Sequence, residues 1–288
     1  MNETSLIIDL HCHTTASDGQ LTPTEIIHRA HGNDIDVLAV TDHDTTAGLA
    51  EAHQANNSFD KPLTLIDGVE VSAKWHSFDI HIVGLGIDRH NPGFQDFLTE
   101  QRLRRDTRAL AIGEKLEKAG IEGAYEGAKA LANGAAISRG HFARYMVNQG
   151  YFTAMAGVFK KYLVKGKTGY VANNWHSIEE TVKQIHNAGG VAIIAHPSRY
   201  NMSTKWLRKL INEFKSCGGD GIETVLSQQG VDERALLISF CHVYDLYASL
   251  GSDFHFDSPW VDLGRNMHQP SDCPWIWQSP KWQEKIAI

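Results

Sequence analysis

The sequence predicts an α/β sheet or barrel interrupted by a mainly helical insertion. Two patterns lead there. Seven short apolar runs rich in Val and Ile recur along the 288 residues, with helical stretches between several of them. Such alternation marks α/β layers. From about residue 95 to 175 the strand signal lapses, and residues 101–118 (QRLRRDTRALAIGEKLEK) carry helical periodicity with mixed charge. A chain that is 42% hydrophobic, with 7 Trp and 11 Phe, can build a sizeable core, which excludes wholesale disorder.

The runs are residues 6–13 (LIIDLHCH), 36–44 (DVLAVTDHD), 63–71 (LTLIDGVEV), 80–87 (IHIVGLGI), 191–196 (VAIIAH), 221–225 (GIETV) and 247–255 (YASLGSDFH). Apolar stretches of about 4–8 residues with branched side chains suit buried strands. A helix is expected over 24–33, with Pro23 near its start and Gly32 at its end. Only residues 72–79 separate the Glu70 strand from the His81 strand, fewer than the dozen or so that a parallel crossover needs. That segment is expected to be a hairpin-like excursion. The strand-bearing domain is therefore discontinuous, 5–94 and 176–288, with the insertion over 95–175. The run Arg102, Arg104, Arg105 and Arg108 suggests a nucleic-acid patch, but a solvated helix face is the simpler reading.

Net charge is −7, which argues against a general duplex-DNA or anionic-membrane binder while leaving room for a local basic cleft. The cysteines Cys12, Cys217, Cys241 and Cys273 form no CxxC pair and no disulfide framework. Residues 1–10 lack the basic and long apolar regions of a signal peptide. No run approaches the roughly eighteen apolar residues of a membrane span. The expectation is a reduced, cytoplasmic protein, monomeric, without membrane partners. Sixteen His outnumber the 11 Phe and double the 8 Tyr, which makes histidine the residue to explain.

Polar clusters end most of the runs, where α/β folds build their sites. In Asp9-Leu10-His11-Cys12-His13, strand alternation points His11 and His13 one way and Cys12 the other, so Cys12 is packing rather than ligand. One such pair is weak; the accumulation is not. Asp18 follows in SDG, His43 lies between Asp42 and Asp44, Glu70 is on the third run and His81 opens the fourth. His196 ends VAIIAH, and Asp253 and His255 form a second i, i+2 pair. Laid side by side, the strands bring His11, His13, Asp18, His43, Glu70, His81, His196, Asp253 and His255 to one rim. So many titratable groups together need cations to neutralise them. A set of imidazoles and carboxylates without thiolates suits Mn²⁺, Fe²⁺ or Zn²⁺.

The segments DLHCHTTASDG, LAVTDHDT, GVEVS, HIVGLGI, AHP and GSDFH resemble the successive motifs of the polymerase and histidinol phosphatase (PHP) superfamily. The resemblance implies a distorted (β/α)₇ barrel with a trinuclear metal site, Mn²⁺ foremost. It implies a first metal on His11, His13, Glu70 and Asp253, and a second bridged by Glu70 to His81 and His196. A third metal would fall to Asp18, His43 and His255. Every ligand position of that pattern is filled.

Clustered divalent ions suit phosphate-ester hydrolysis by a metal-activated hydroxide. For the proton to the leaving group the candidates are Asp42, Asp44 and metal-bound water, and His255 is a further catalytic candidate. Arg139 and His141 in the insertion and Arg199 after His196-Pro197 are candidates for gripping a substrate phosphate. Arg144 stands behind them, or in a surface ion pair. Lys160, Lys161, Lys165 and Lys167 add a basic stretch, more simply a solvated helix end. An arginine-bearing insertion, together with SQQGVDERALL and SDFHFDSPWVDLGR, is similar to a nucleotide-directed subgroup of the superfamily. That likeness implies removal of the 3′-phosphate from 3′,5′-bisphosphonucleotides such as pAp and 5′→3′ trimming of short 5′-phosphorylated RNA. A small-molecule phosphatase of the histidinol phosphatase kind would have little use for the arginines. A PHP-type DNA exonuclease would accompany a polymerase portion, and a non-catalytic metal-binding regulatory domain would have lost ligands. Trp175, Trp260, Trp275, Trp277 and Trp282 are expected in core or lid packing.

Overall fold

The structure, a computed structural model, describes residues 6–284. Residues 1–5, part of the segment read as lacking a leader, and 285–288, the end of the expected barrel, lie outside the described residues. Seven strands form one sheet in chain order: β1 (Ile8–Cys12), β2 (Val37–Val40), β3 (Thr64–Trp75), β4 (Phe78–Leu85), β5 (Val191–Ile194), β6 (Gly221–Val225) and β7 (Tyr247–Leu250). The sheet curls until the segment after β7 meets β1. Asp253 N donates to His11 O at 2.8 Å, and His13 N donates to Phe254 O at 2.9 Å. This is the nearly closed seven-stranded α/β barrel that the motifs implied. Strand β4 is antiparallel to both neighbours and every other pair is parallel. The reversed strand distorts the barrel, and the tight β3–β4 turn is the hairpin expected from the short spacing.

Strands β1, β2, β5 and β6 are buried along their whole length, because helices cover the outside of the sheet. Helix α1 (Pro23–Gly32) starts at a capping box, in which the Thr22 side chain accepts from Glu25 N and Glu25 accepts from Thr22 N. It buries Ile26, Ile27 and Ala30 beside α2 (Leu49–Asn56). No helix among the described residues is long and apolar enough to cross a membrane.

The middle of the chain is helical: α3 (Pro92–Lys118), α4 (Ala124–Ala132), α5 (Arg139–Asn148) and α6 (Met155–Val158), the last running into a π-helical turn over Phe159–Leu163. Helix α3 belongs to two cores. Phe94, Phe97 and Leu98 join the barrel core, whereas Ala109, Ile112 and Leu116 join a separate cluster with Phe142, Met146 and Leu163. Burying each large side chain of that cluster contributes about 1.5–3 kcal/mol, so the insertion has its own cohesion. The expected boundary at 94/95 falls inside this helix. The chain then returns through α7 (Ile178–Asn187), α8 (Thr204–Ser216), α9 (Val231–Tyr244) and α10 (Pro280–Gln283). Trp175, Trp275 and Trp282 are buried and Trp277 is half-buried, but Trp260 is 70% exposed, contrary to the packing expected for it.

Candidate metal centre

The site begins with strand alternation. His11 and His13 face the barrel interior, while Cys12 points away and its thiol donates to Ala39 O at 3.3 Å. The loops after β1, β2, β5 and β7 add Asp18, His43, His196, Asp253 and His255. Glu70 and His81 come from within β3 and β4. All nine expected residues meet at one end of the barrel, and Glu70 is the hub. Its carboxylate oxygens lie 3.5 Å from His11, 3.3 Å from His13, 2.8 Å from His43, 2.8 Å from His81 and 2.9 Å from His196. Asp253 Oδ1 stands 3.2 Å from His13 Nε2, and Asp18 Oδ1 stands 3.3 Å from His255 Nε2 and 3.8 Å from His43 Nε2.

These atoms have the character of a cation site. Asp18 Oδ1, His43 Nδ1, Glu70 Oε2, His196 Nδ1 and Asp253 Oδ1 are buried without an aligned hydrogen-bond partner, although several sit within contact distance of one another. Buried polar atoms left so would be costly, and a shared divalent ion satisfies them. Three groups have donor atoms within 4.8 Å of one another: His11, His13, Glu70 and Asp253; His13, Asp18, His43 and His255; and His43, Glu70 and His81. The first matches the implied set. The second adds His13, and the third has His43 where the resemblance placed His196. Burial opposes charge on the carboxylates, yet the surrounding imidazoles hold Asp18, Glu70 and Asp253 well below the usual carboxylate range. Against the same burial, Asp253 and Glu70 raise His13 to about 10, so this imidazole draws in either a proton or a cation. His196 and Asp253 sit at φ +29° and +52°, a backbone strain of about 1–3 kcal/mol each that is common at functional sites.

Asp42 and Asp44 do not face this cluster's open side. Asp42 accepts from Thr14 N (2.7 Å), Thr14 Oγ1 (2.7 Å) and Ser17 Oγ (2.6 Å). Asp44 accepts from Ser72 N (2.8 Å), Gln101 Nε2 (3.3 Å) and Arg105 Nε (2.5 Å). Between them these contacts clamp the β1 loop and α3 on either side of His43. His255 does reach open space, and its Nδ1 lies 2.9 Å from Asp253 O, which turns Nε2 toward Asp18.

The sequence reading overlooked Glu223, a carboxylate in the run GIETV. His11 Nδ1 donates to its Oε1 at 2.9 Å, and His196 N donates to its Oε2 at 2.6 Å, so one side chain orients two of the expected ligands. The chain crosses behind His11 at Gly251, where a Cβ would lie 2.2 Å from that of His11; only glycine fits. Glu223→Gln replaces one acceptor by a donor and should weaken metal affinity or activity by about 10–100-fold. Wild-type metal affinity and turnover in that variant would remove Glu223 from the site.

Beside the cluster opens a cleft of about 240 Å³ between barrel and insertion, lined by Asp18, His43, His81 and His255 on one side and by Arg105, Arg108 and Arg139 on the other. The solvated-face reading of the α3 arginines is thus wrong for two of the four. Arg105 is 8% exposed, and Trp175 packs under both guanidinium groups at 5.3 Å and 5.4 Å. Gln101, Arg105, Ala109, Ile112 and Leu116 form one buried stripe at helical spacing, the signal that could have revealed this. Two carboxylates serve the three cations. Asp44 takes Arg105, while Asp79 lies 3.4 Å from Arg108 and 3.7 Å from Arg139. Burial first, and then the neighbouring Arg139 and Arg105, lower Arg108 to about 10. Arg108 and Arg139 thus share a single carboxylate.

Of the phosphate-binding candidates only Arg139 lines this cleft. Arg199 pairs with Asp253 and lines a neighbouring groove. Arg144 donates to Asp18 O at 3.1 Å and so braces the loop that carries Asp18. His141 is buried, and its Nδ1 accepts from Ser138 N at 3.0 Å, closing the N-terminal cap of α5. Burial lowers its imidazole to about 4. It remains neutral when folded but titrates near 6.5 when unfolded, so it contributes stability that is full above about pH 6.5 and lost toward pH 4, about 3 kcal/mol in all. His141→Gln keeps the cap acceptor without the titration. Its melting temperature should fall less than wild type's between pH 6.5 and 4.5, and parallel declines would refute the assignment.

Residues 9–196 match the PHP domain family. Over 97% of this chain and 95% of its own length, a Salmonella typhimurium protein called 5'-3' exoribonuclease Rnm is 48% identical. The 3',5'-nucleoside bisphosphate phosphatase of Chromobacterium violaceum is 44% identical over 97% of this chain and 96% of its own. A solved structure of an amidohydrolase from Chromobacterium violaceum, with bound sulfate and no metal, superposes with a TM-score of 0.91 at 42% identity, covering 97% of each chain.

Proposed function

The chain belongs to the PHP domain family, and from that premise we propose that it is a divalent-metal phosphoesterase. Its substrates would be 3′,5′-bisphosphonucleotides such as pAp, from which it removes the 3′-phosphate, and short 5′-phosphorylated RNAs, trimmed from the 5′ end. The relatives named as exoribonuclease and bisphosphate phosphatase support both halves of this reading. The observation that carries it is the pairing of the imidazole–carboxylate cluster with an arginine-lined cleft in one continuous space.

The residues fit divalent ions, and we assign the three groupings, two of which share Glu70, to three of them, Mn²⁺ foremost. Bound there, they would polarise the phosphoryl oxygens and activate water for attack. The chain's own residues do the positioning. Arg105, Arg108 and Arg139 would grip the 5′-phosphate, Trp175 and the apolar Ile112, Met155 and Phe159 would exclude water around the nucleoside, and the 3′-phosphorus would then fall against Asp18, His43 and His255. We assign Asp42 and Asp44 to positioning; His255 Nδ1 faces Asp253 O and its Nε2 faces Asp18, so the proton for the departing 3′-oxygen would come from water in the cleft. A narrow cleft walled by α5 and Trp175 favours single nucleotides and single strands over duplex DNA. We place the enzyme in the cytoplasm as a monomer.

Phosphate release with Mn²⁺ across pAp, histidinol phosphate and a 5′-phosphorylated oligoribonucleotide tests this reading. Turnover of pAp and stepwise shortening of the RNA, with little from histidinol phosphate, is the expected pattern. Preference for histidinol phosphate would overturn it.

A further inference from the structure

We propose that the groove beyond His81 and His196 is the track for the downstream strand of an RNA substrate. The inference rests on the phosphoesterase reading and deepens it. The cluster faces two spaces. Asp18, His43 and His255 look into the arginine cleft, while His196 looks into a second groove of about 490 Å³. His81, Asp79 and Arg139 line both, so the two spaces meet at the cluster.

The groove has the equipment of a single-strand track. Its walls are the β3–β4 hairpin with Phe78, the turn after β5 with Arg199 and Tyr200, and the returning insertion with Lys165 and Tyr170. Phe78 is backed by Trp75 and Trp206, each ring 6.0 Å away, and Trp206 is 41% exposed, which extends the aromatic surface. Lys165 is exposed and has no ion-pair or hydrogen-bond partner among the described residues. Aromatic faces interleaved with cations hold single strands without reading their sequence, through base stacking and backbone charge.

The chemistry fixes which end lies where. In the trimming step water adds to phosphorus, the P–O3′ bond breaks, and the 3′-oxygen takes a proton. The phosphate stays on the 5′-oxygen of the next nucleotide. The departing nucleotide therefore occupies the arginine cleft, and everything downstream of the phosphorus lies on the other side of the cluster. In pAp that side holds only phosphate oxygens, so the groove serves RNA and not the bisphosphonucleotide.

Tyr170→Ala and Lys165→Glu in the full-length, Mn²⁺-loaded enzyme test this, with a 5′-phosphorylated pentaribonucleotide and pAp measured side by side. Each should lower the ratio of RNA to pAp kcat/KM by about tenfold, mainly through the KM for RNA, and Lys165→Glu should also flatten its salt dependence. If wild type turns over pAp but both variants keep the wild-type ratio, the groove assignment fails and the phosphoesterase reading stands. If wild type releases no phosphate from pAp, that reading fails and the groove with it.

Discussion

Asp18→Ala and His43→Ala should each lower phosphate release by more than about 100-fold, beyond the effect usual for residues one shell further out, and leave the fold largely intact. Asp18 is the carboxylate that the β1 loop delivers to His43 and His255, and no other carboxylate stands in that grouping. His43 stands in two of the three groupings, so its loss removes a donor whichever of the two it serves. Neither belongs to the hydrophobic clusters that hold the barrel and insertion together. Circular dichroism and melting should therefore report a folded protein beside an inactive one. Near-wild-type turnover in either variant would sink the multi-metal account.

Arg108→Met should raise KM for pAp by about 10–100-fold, the ~1.5–3 kcal/mol of a buried hydrogen bond to a charged group, and leave p-nitrophenyl phosphate little affected. Methionine keeps much of the stem that packs beside Trp175, and Asp79 retains Arg139 as a partner, so stability should change less than affinity. Arg139→Ala should act in the same direction and more weakly, because its side chain is 30% exposed and solvent screens it. Equal losses on both substrates would mean that neither arginine reads the second phosphate.

The sequence made the barrel and the cluster legible for one reason. Strand periodicity is two, so paired polar residues such as His11 and His13 announce their face, and each apolar run announces its own end. The short link between Glu70 and His81 likewise showed the hairpin without any structure. What stayed hidden depends on long-range packing. Asp42 and Asp44 flank His43 in sequence, but their partners Thr14, Ser17, Ser72, Gln101 and Arg105 come from other segments that no local pattern connects to them. Arg105 and Arg108 sit in a helix whose charge pattern resembles a wet surface, and only the barrel packed against it shows otherwise. His141 lies two residues after Arg139, and its place in the cap of α5 shows only in the fold.

The proposed function requires one site that both grips a 5′-phosphate and cuts at the 3′-oxygen. Measuring kcat/KM for phosphate release from pAp and from 3′-AMP, which lacks only the 5′-phosphate, tests that claim most directly. The arginine cleft predicts a preference for pAp of about 100-fold or more, as befits one buried, charge-assisted phosphate site. Equal values for the two substrates would contradict it.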